Sequence, residues 1–179
     1  GSASIELTVQ EKNKSKVIVF SGDIGPSGMA IVRDAQPLKR ADVVFLESTY
    51  GDRDHKPLKE TLAEFRAIIE RAVKQKSRIL VPAFAVGRTQ DILVHLGCLH
   101  HQGEMDNWEV FLDSPMAIAV TRVYDSWLHA LDRDDVRQLS DAHKTSLENF
   151  LPKLNMAVDT EQSMAINRIP GGAIVIAGS

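Results

Sequence analysis

Polar and apolar residues alternate with period two over Ser4-Ile5-Glu6-Leu7-Thr8-Val9-Gln10, as in a half-buried strand. The polar stretch Glu11–Lys16 turns the chain into the apolar run Val17-Ile18-Val19-Phe20, so a β-hairpin is predicted. Residues 24–40 read as an irregular link, because Pro26, Gly28 and Pro37 oppose a long helix. Ala41–Leu46 predicts another buried strand, ending on Glu47-Ser48-Thr49-Tyr50-Gly51-Asp52.

From there helix and strand alternate. Behind Pro57, residues 58–74 place Leu62, Phe65, Ile68, Ile69 and Ala72 at helical spacing. A strand follows over 78–84, a helix over 89–99, a strand over 108–113 and a helix over about 116–131. A weaker helix is predicted over 140–154 and a last strand over 173–177. This order predicts an α/β fold: a mainly parallel sheet with helices on both faces, preceded by a short β-rich stretch. Ligands of such sheets meet the carboxyl ends of the strands. Those ends carry Asp23, Glu47, Arg88, Asp113-Ser114 and Ser179.

Composition narrows the partners. The 179 residues hold 21 Lys+Arg against 24 Asp+Glu, a net charge of −3. That excludes a strongly basic protein that coats nucleic acid, while leaving room for a local basic groove. The single Cys98 cannot form an intrachain disulfide and suits a reducing compartment. No apolar run approaches membrane-span length and no basic-then-apolar leader opens the chain, so a soluble cytoplasmic protein without membrane contact is expected. The chain closes on an apolar strand at its own exit loop, which reads as a cut piece.

The candidate groups each allow more than one reading. Gly22-x-x-Gly25-x-x-Gly28 suggests a phosphate loop, but neither the dinucleotide nor the P-loop spacing is present, and Pro26 removes a backbone donor. Asp23 is either an acid capping its own turn, which spacing alone favours, or a carboxylate bridging two divalent ions. Glu47 is either a strand-end acid paired with a surface base or an acceptor that orients a histidine. Arg88, after Gly87 at a strand-to-helix turn, either grips phosphate or pairs with Asp91. Ser114 reads first as a helix cap before Pro115 and second as a phosphate contact. His55, His95, His100, His101, His129 and His143 show no metal-ligand spacing. His100-His101 suits a helix C-terminus, and His95 and His129 suit helix faces. This chain alone is not expected to build a two-metal site.

In order and spacing, FSGDIG (20–25), LESTYGDR (46–53), VPAFAVGRTQDIL (81–93), DSPMA (113–117) and GGAIVIAGS (171–179) resemble the β-CASP family of metallo-β-lactamase-fold nucleases. The form ESTYG is similar to the RNA-directed branch. The resemblance implies a two-zinc phosphodiesterase of RNA, active between a metallo-β-lactamase domain and an inserted β-CASP domain. Residues 1–50 would be C-terminal-side strands of the former and 51–179 part of the latter. Asp23 matches the metal-bridging aspartate, and Glu47 the acid of the first β-CASP motif beside the metals. Arg88, Ser114 and Ser179 fall in cleft-lining blocks and carry over as substrate contacts. RNA is the implied partner, and a homodimer is expected of the full-length protein.

The family's H-x-H-x-D-H motif and its later motif histidines do not occur in this sequence. The resemblance therefore implies an internal segment, inactive by itself. Two other readings stay open: a catalytically inactive RNA-binding or assembly module of the family, and an unrelated doubly wound small-molecule binder.

Overall fold

The structure is a computed structural model that describes residues 3–25, 27, 31, 33–128 and 146–178. The chain divides into two compact units, Gly1–Lys56 and Pro57–Ser179.

In the first unit β1 (Ile5–Glu11) and β2 (Lys14–Phe20) pair antiparallel, in register from Ile5↔Phe20 to Glu11↔Lys14. The connection is only Lys12-Asn13, with Lys12 left-handed at φ 53°. The polar turn predicted over 11–16 is thus mostly strand, because Lys14, Ser15 and Lys16 continue the ladder. β3 (Val43–Phe45) joins β2 in parallel, Ile18↔Val43 through Phe20↔Phe45. Asp42 starts that pairing: its N–H donates to Val17 O and its Oδ2 accepts from Val17 N–H, each at 2.8 Å. The Val17 N–H, with Lys16 and Arg40 nearby, holds the Asp42 carboxyl below its ordinary pKa.

The registers place Ile5, Leu7, Val9, Ile18, Phe20, Val43 and Phe45 on one face of this sheet. Six of these seven are exposed, and the Phe20 and Phe45 rings stack at 4.8 Å. The expected burial of Val43–Leu46 therefore does not hold. Within this unit the described residues provide no helix or second sheet to cover a three-stranded sheet. Val19, pointing to the opposite face, is the strand residue that is fully buried.

The second unit holds a four-stranded parallel sheet. It comprises β4 (Arg78–Pro82), β5 (Glu109–Asp113), β6 (Leu154–Met156) and β7 (Ala173–Ala177), in the order β4-β7-β5-β6. β7 is central, with Ala173 beside both Arg78 and Glu109 and Ala177 beside both Pro82 and Asp113. One face carries Ile79, Val81, Val110, Leu112, Ile174 and Ile176. These pack with Ile69 and Ala72 of α1 (Leu58–Gln75), Leu93, Leu96 and Leu99 of α2 (Arg88–His101), and Ala117 and Ile118 of α3 (Pro115–Ser126). Burying these side chains is the main stabilisation of the unit, at about 1.5–3 kcal/mol for each large aliphatic. α4 (Leu147–Phe150) is a single turn whose Phe150 lies over Gly97 of α2.

The connection from β6 back to β7 reverses direction across the sheet, so its helix α5 (Thr160–Ile166) belongs to the other face. Two bonds tie that segment to residues of that face: Ser163 Oγ donates to Asp113 Oδ2 at 3.0 Å, and Arg78 Nη1 donates to Asn167 O at 3.3 Å. α5 and β6 do not figure in the sequence expectations. Of the helix predicted over 140–154, the described part is α4 followed by β6, and residues 129–131 and 140–145 lie outside the described residues.

β7 approaches its neighbours closely at both ends. A Cβ added at Gly171 would fall 1.9 Å from Lys76 O, and one at Gly178 would fall 1.9 Å from Ala83 O. Gly178→Ala should therefore destabilise the protein by about 1–3 kcal/mol through forced backbone shifts. Gly25→Ala, where nothing lies within 4 Å, serves as the comparison. Urea unfolding that shows equal midpoints for the two variants would refute this account of the sheet.

Candidate functional site

Asp23 and Glu47 both follow from one serine. β2 and β3 are parallel neighbours ending level, at Phe20 and Phe45. Ser21, buried at 6% exposure, donates its N–H to Phe45 O at 2.9 Å and so extends the pairing by one residue. Its hydroxyl donates to Gly22 O at 2.7 Å and accepts the Glu47 N–H at 2.9 Å, while its carbonyl accepts from Ser4 Oγ at 2.7 Å. The next residue, Gly22, has φ 62°, which turns the chain out and leaves Asp23 exposed. Glu47 is half-buried, and its Oε2 accepts the Thr49 N–H at 2.9 Å. Two carboxylates are thus delivered at the carboxyl ends of adjacent parallel strands, each on a turn fixed by backbone bonds.

Among the described residues no group of three or more His, Cys, Asp or Glu side chains is placed to hold a metal ion. As a set they do not fit a two-metal centre, and Asp23 is at most one ligand of such a centre.

The second unit presents its own cluster at the strand ends. Arg88 opens α2 directly after Gly87, whose φ 83° and ψ −71° form a γ-turn closed by Arg88 N–H to Val86 O at 3.1 Å. That backbone is strained for any residue with a Cβ, which explains the glycine although open space surrounds it. Gln90, fully buried, holds the turn: its Oε1 accepts the Gly87 N–H at 2.8 Å, and its Nε2 donates to Ala85 O at 3.1 Å and Thr121 Oγ1 at 3.0 Å. Thr89 Oγ1 adds a bond to Phe84 O at 2.8 Å. Gln90 and Thr121 were not singled out by the sequence. Gln90 sits among the polar Arg88, Thr89 and Asp91 at the start of α2, so no local pattern marked it as buried, although a buried amide must find partners.

Arg88 keeps its guanidinium mostly in solvent, 4.0 Å from Asp91 Oδ2. Both sequence readings of Arg88 are therefore compatible, because so loose a pair yields readily to another anion. Burial raises the Asp91 pKa against the pull of Arg88, and burial followed by the Arg88 charge lowers that of His95. Ser114 is buried and its Oγ accepts the Ala117 N–H at 3.2 Å, capping α3. His100 and His101 end α2, and His101 Nε2 lies 3.1 Å from Phe150 O. Asp23 and Glu47 belong to the first unit and Arg88 and Ser114 to the second; Ser179, His129 and His143 lie outside the described residues.

The second unit is a parallel α/β domain whose polar groups collect at the carboxyl ends of its strands. The chain belongs to the Beta-Casp domain family, whose model matches residues 89–179. It is 36% identical over 173 residues to "Ribonuclease TTHA0252" of Thermus thermophilus, a match covering 96% of this chain and 38% of that protein. It is 30% identical over 176 residues to an "RNase J-like protein" of Methanocaldococcus jannaschii, covering 95% of this chain and 38% of the relative. Similarity extends to "Cleavage and polyadenylation specificity factor 73" of Drosophila melanogaster, 27% identical over 125 residues, with 69% of this chain and 18% of the relative covered. The chain thus spans well under half the length of these relatives.

Gly87→Ala should cost about 1–3 kcal/mol from backbone strain. Gln90→Leu should cost about 1–3 kcal/mol by orphaning buried partners. Measured in a double-mutant cycle, the two effects should couple, and strict additivity would show that Gln90 does not hold the turn. The pH dependence follows from His95. Its folded pKa is depressed, so its contribution is complete above the unfolded value and is lost as pH falls through the folded one. Between about pH 8 and pH 5, His95→Gln should flatten the fall in unfolding free energy relative to wild type, and parallel curves would refute this.

Proposed function

We propose that the chain is part of a zinc-dependent ribonuclease that hydrolyses RNA phosphodiester bonds in RNA processing or decay. The observation that carries this reading is the paired delivery of Asp23 and Glu47 from adjacent strand ends through Ser21. The names of the relatives support the substrate class.

In this reading Asp23 would contribute one ligand to a metal centre of the full-length protein, which when filled would activate water for attack on phosphate. Glu47, already fixed by the Thr49 N–H, would orient an imidazole that holds the metal in the full-length protein. Arg88 binds a substrate phosphate. Ser114 acts through the α3 cap that sets the β5 loop, and Ser179, outside the described residues, is assigned as a substrate contact. The first unit would be strands of a metallo-β-lactamase domain. Its exposed apolar face supports that assignment, since such a face requires a covering layer. A cytoplasmic location and a homodimeric full-length protein complete the proposal.

The test is metal-dependent cleavage of single-stranded RNA by the full-length protein. Asp23→Ala should abolish cleavage in a protein that still folds cooperatively, and Glu47→Gln should reduce it about 10–100-fold. The 179-residue chain alone should neither cleave RNA nor hold stoichiometric zinc, for it offers too few ligands. Full cleavage by Asp23→Ala would overturn the assignment. RNA binding without cleavage by the full-length wild type would point instead to an inactive binding module.

A further inference from the structure

The segment following Glu47 carries three side chains that the proposed chemistry leaves unused. Tyr50 is 54% exposed. The His55 ring meets it edge-on, with centroids 4.7 Å apart and planes at 62°, and the Arg53 guanidinium lies 5.5 Å from the Tyr50 centroid, over the ring. A short turn assembles them: Gly51 N–H donates to Ser48 O at 3.0 Å, and Arg53 N–H donates to Tyr50 O at 3.3 Å. The Thr49 N–H that engages the Glu47 carboxylate belongs to the same turn, so the acid and the Tyr50 ring are fixed together.

Local stabilisation alone does not account for this arrangement. A tyrosine that serves packing is largely buried, and Tyr50 is not. Arg53 also pairs with Asp52 at 3.0 Å, but both partners are exposed and such a pair exchanges easily for another anion. An exposed tyrosine beside an exposed cation and an imidazole is the chemistry that takes a flat π-system next to a negative charge, the base replacing or sharing the guanidinium's place on the ring. The net charge of −3 adds to the argument, because a chain without a general basic surface needs local contacts to retain a polyanion.

We propose that Tyr50, flanked by Arg53 and His55, is a stacking platform for an unpaired base of single-stranded RNA. Arg53 turns from Asp52 to the adjoining phosphate. The inference rests on the ribonuclease reading above. Stacking of this kind accepts any base, so the platform holds the strand beside Glu47 without selecting sequence.

The test measures fluorescence anisotropy of the metal-free full-length protein, which binds without cleaving, with a labelled single-stranded oligoribonucleotide and with an abasic oligomer of equal length. The base-bearing strand should bind about tenfold more tightly, the contribution of roughly one stacked base. Tyr50→Ala should remove that difference and leave abasic binding unchanged, while Tyr50→Trp should retain it. Equal binding of both oligomers by wild type would overturn the platform and leave the ribonuclease reading standing. A uniform loss for both oligomers in Tyr50→Ala would assign Tyr50 a structural role and overturn the platform as well. Failure of wild type to bind either oligomer would overturn both readings.

Discussion

The second unit depends on β7, a strand that follows both of its neighbours in sequence and lies between them in the sheet. β4 and β5 are consecutive strands in the chain, yet they do not touch, because β7 lies between them and pairs with both. Until residues 173–177 arrive, β4 has no partner and the β5–β6 pair has an open edge. Every ladder bond to β7 spans a long loop, whose closure entropy must be met before the pairing stabilises anything. The closeness of fit follows from this. Ala173 and Ile174 are completely buried, and the flanking glycines lie against the carbonyls of Lys76 and Ala83, where a side chain has no room. Ala83 N–H in turn donates to Ala177 O, so the last strand sets where the β4–α2 loop begins.

That loop shows how the fold spends stability on position. The γ-turn at Gly87 is an unfavourable conformation placed directly before Arg88, and it persists because the buried Gln90 amide and the Thr89 hydroxyl over-determine it. In the first unit the corresponding device is Ser21, one hydroxyl that both donates and accepts between the ends of β2 and β3. The two devices differ in chemistry and share a consequence. Each converts the end of a parallel strand into a rigid exit from which a charged side chain emerges in a defined direction.

Much of this was legible in the sequence, and the exceptions have physical causes. α1, α2 and α3 and the strands at 78–82, 109–113 and 173–177 follow from apolar periodicity, since their burial is set by the core they build. β6 is three residues long, too short for any period to show. α5 escaped for a different reason: it has one buried apolar residue, Ile166, and is nucleated by its cap. Asp159 Oδ1 accepts the Gln162 N–H at 2.8 Å, and Gln162 Oε1 accepts the Val158 N–H at 2.9 Å, so the signal lay in Asp-x-x-Gln rather than in hydrophobic spacing. The exposed β3 shows the reverse error. Val43-Val44-Phe45 correctly predicts a strand, but burial depends on a second layer that a local pattern cannot specify. For the site, spacing alone favoured an ordinary turn acid for Asp23 and left Glu47 open between a strand-end acid and an acceptor for a histidine. What the structure adds is that their turns share Ser21, a relation between residues 26 positions apart.

Parallel pairing explains why the candidate groups collect as they do. In an antiparallel sheet the ends of neighbouring strands alternate in direction, and residues that follow them scatter to both edges. In a parallel sheet every strand points one way, so residues that follow in sequence arrive together in space. Within the first unit β2 and β3 end level, shortly before Asp23 and Glu47; within the second, β4, β5 and β7 end level, shortly before Arg88 and Ser114. Within each unit such a pair needs no conspicuous motif, because the parallel topology supplies the proximity. The sequence has only to place a short polar side chain with a fixed backbone at each exit, and the buried Ser21, Gln90 and Ser114 hydrogen bonds are the means by which it does so.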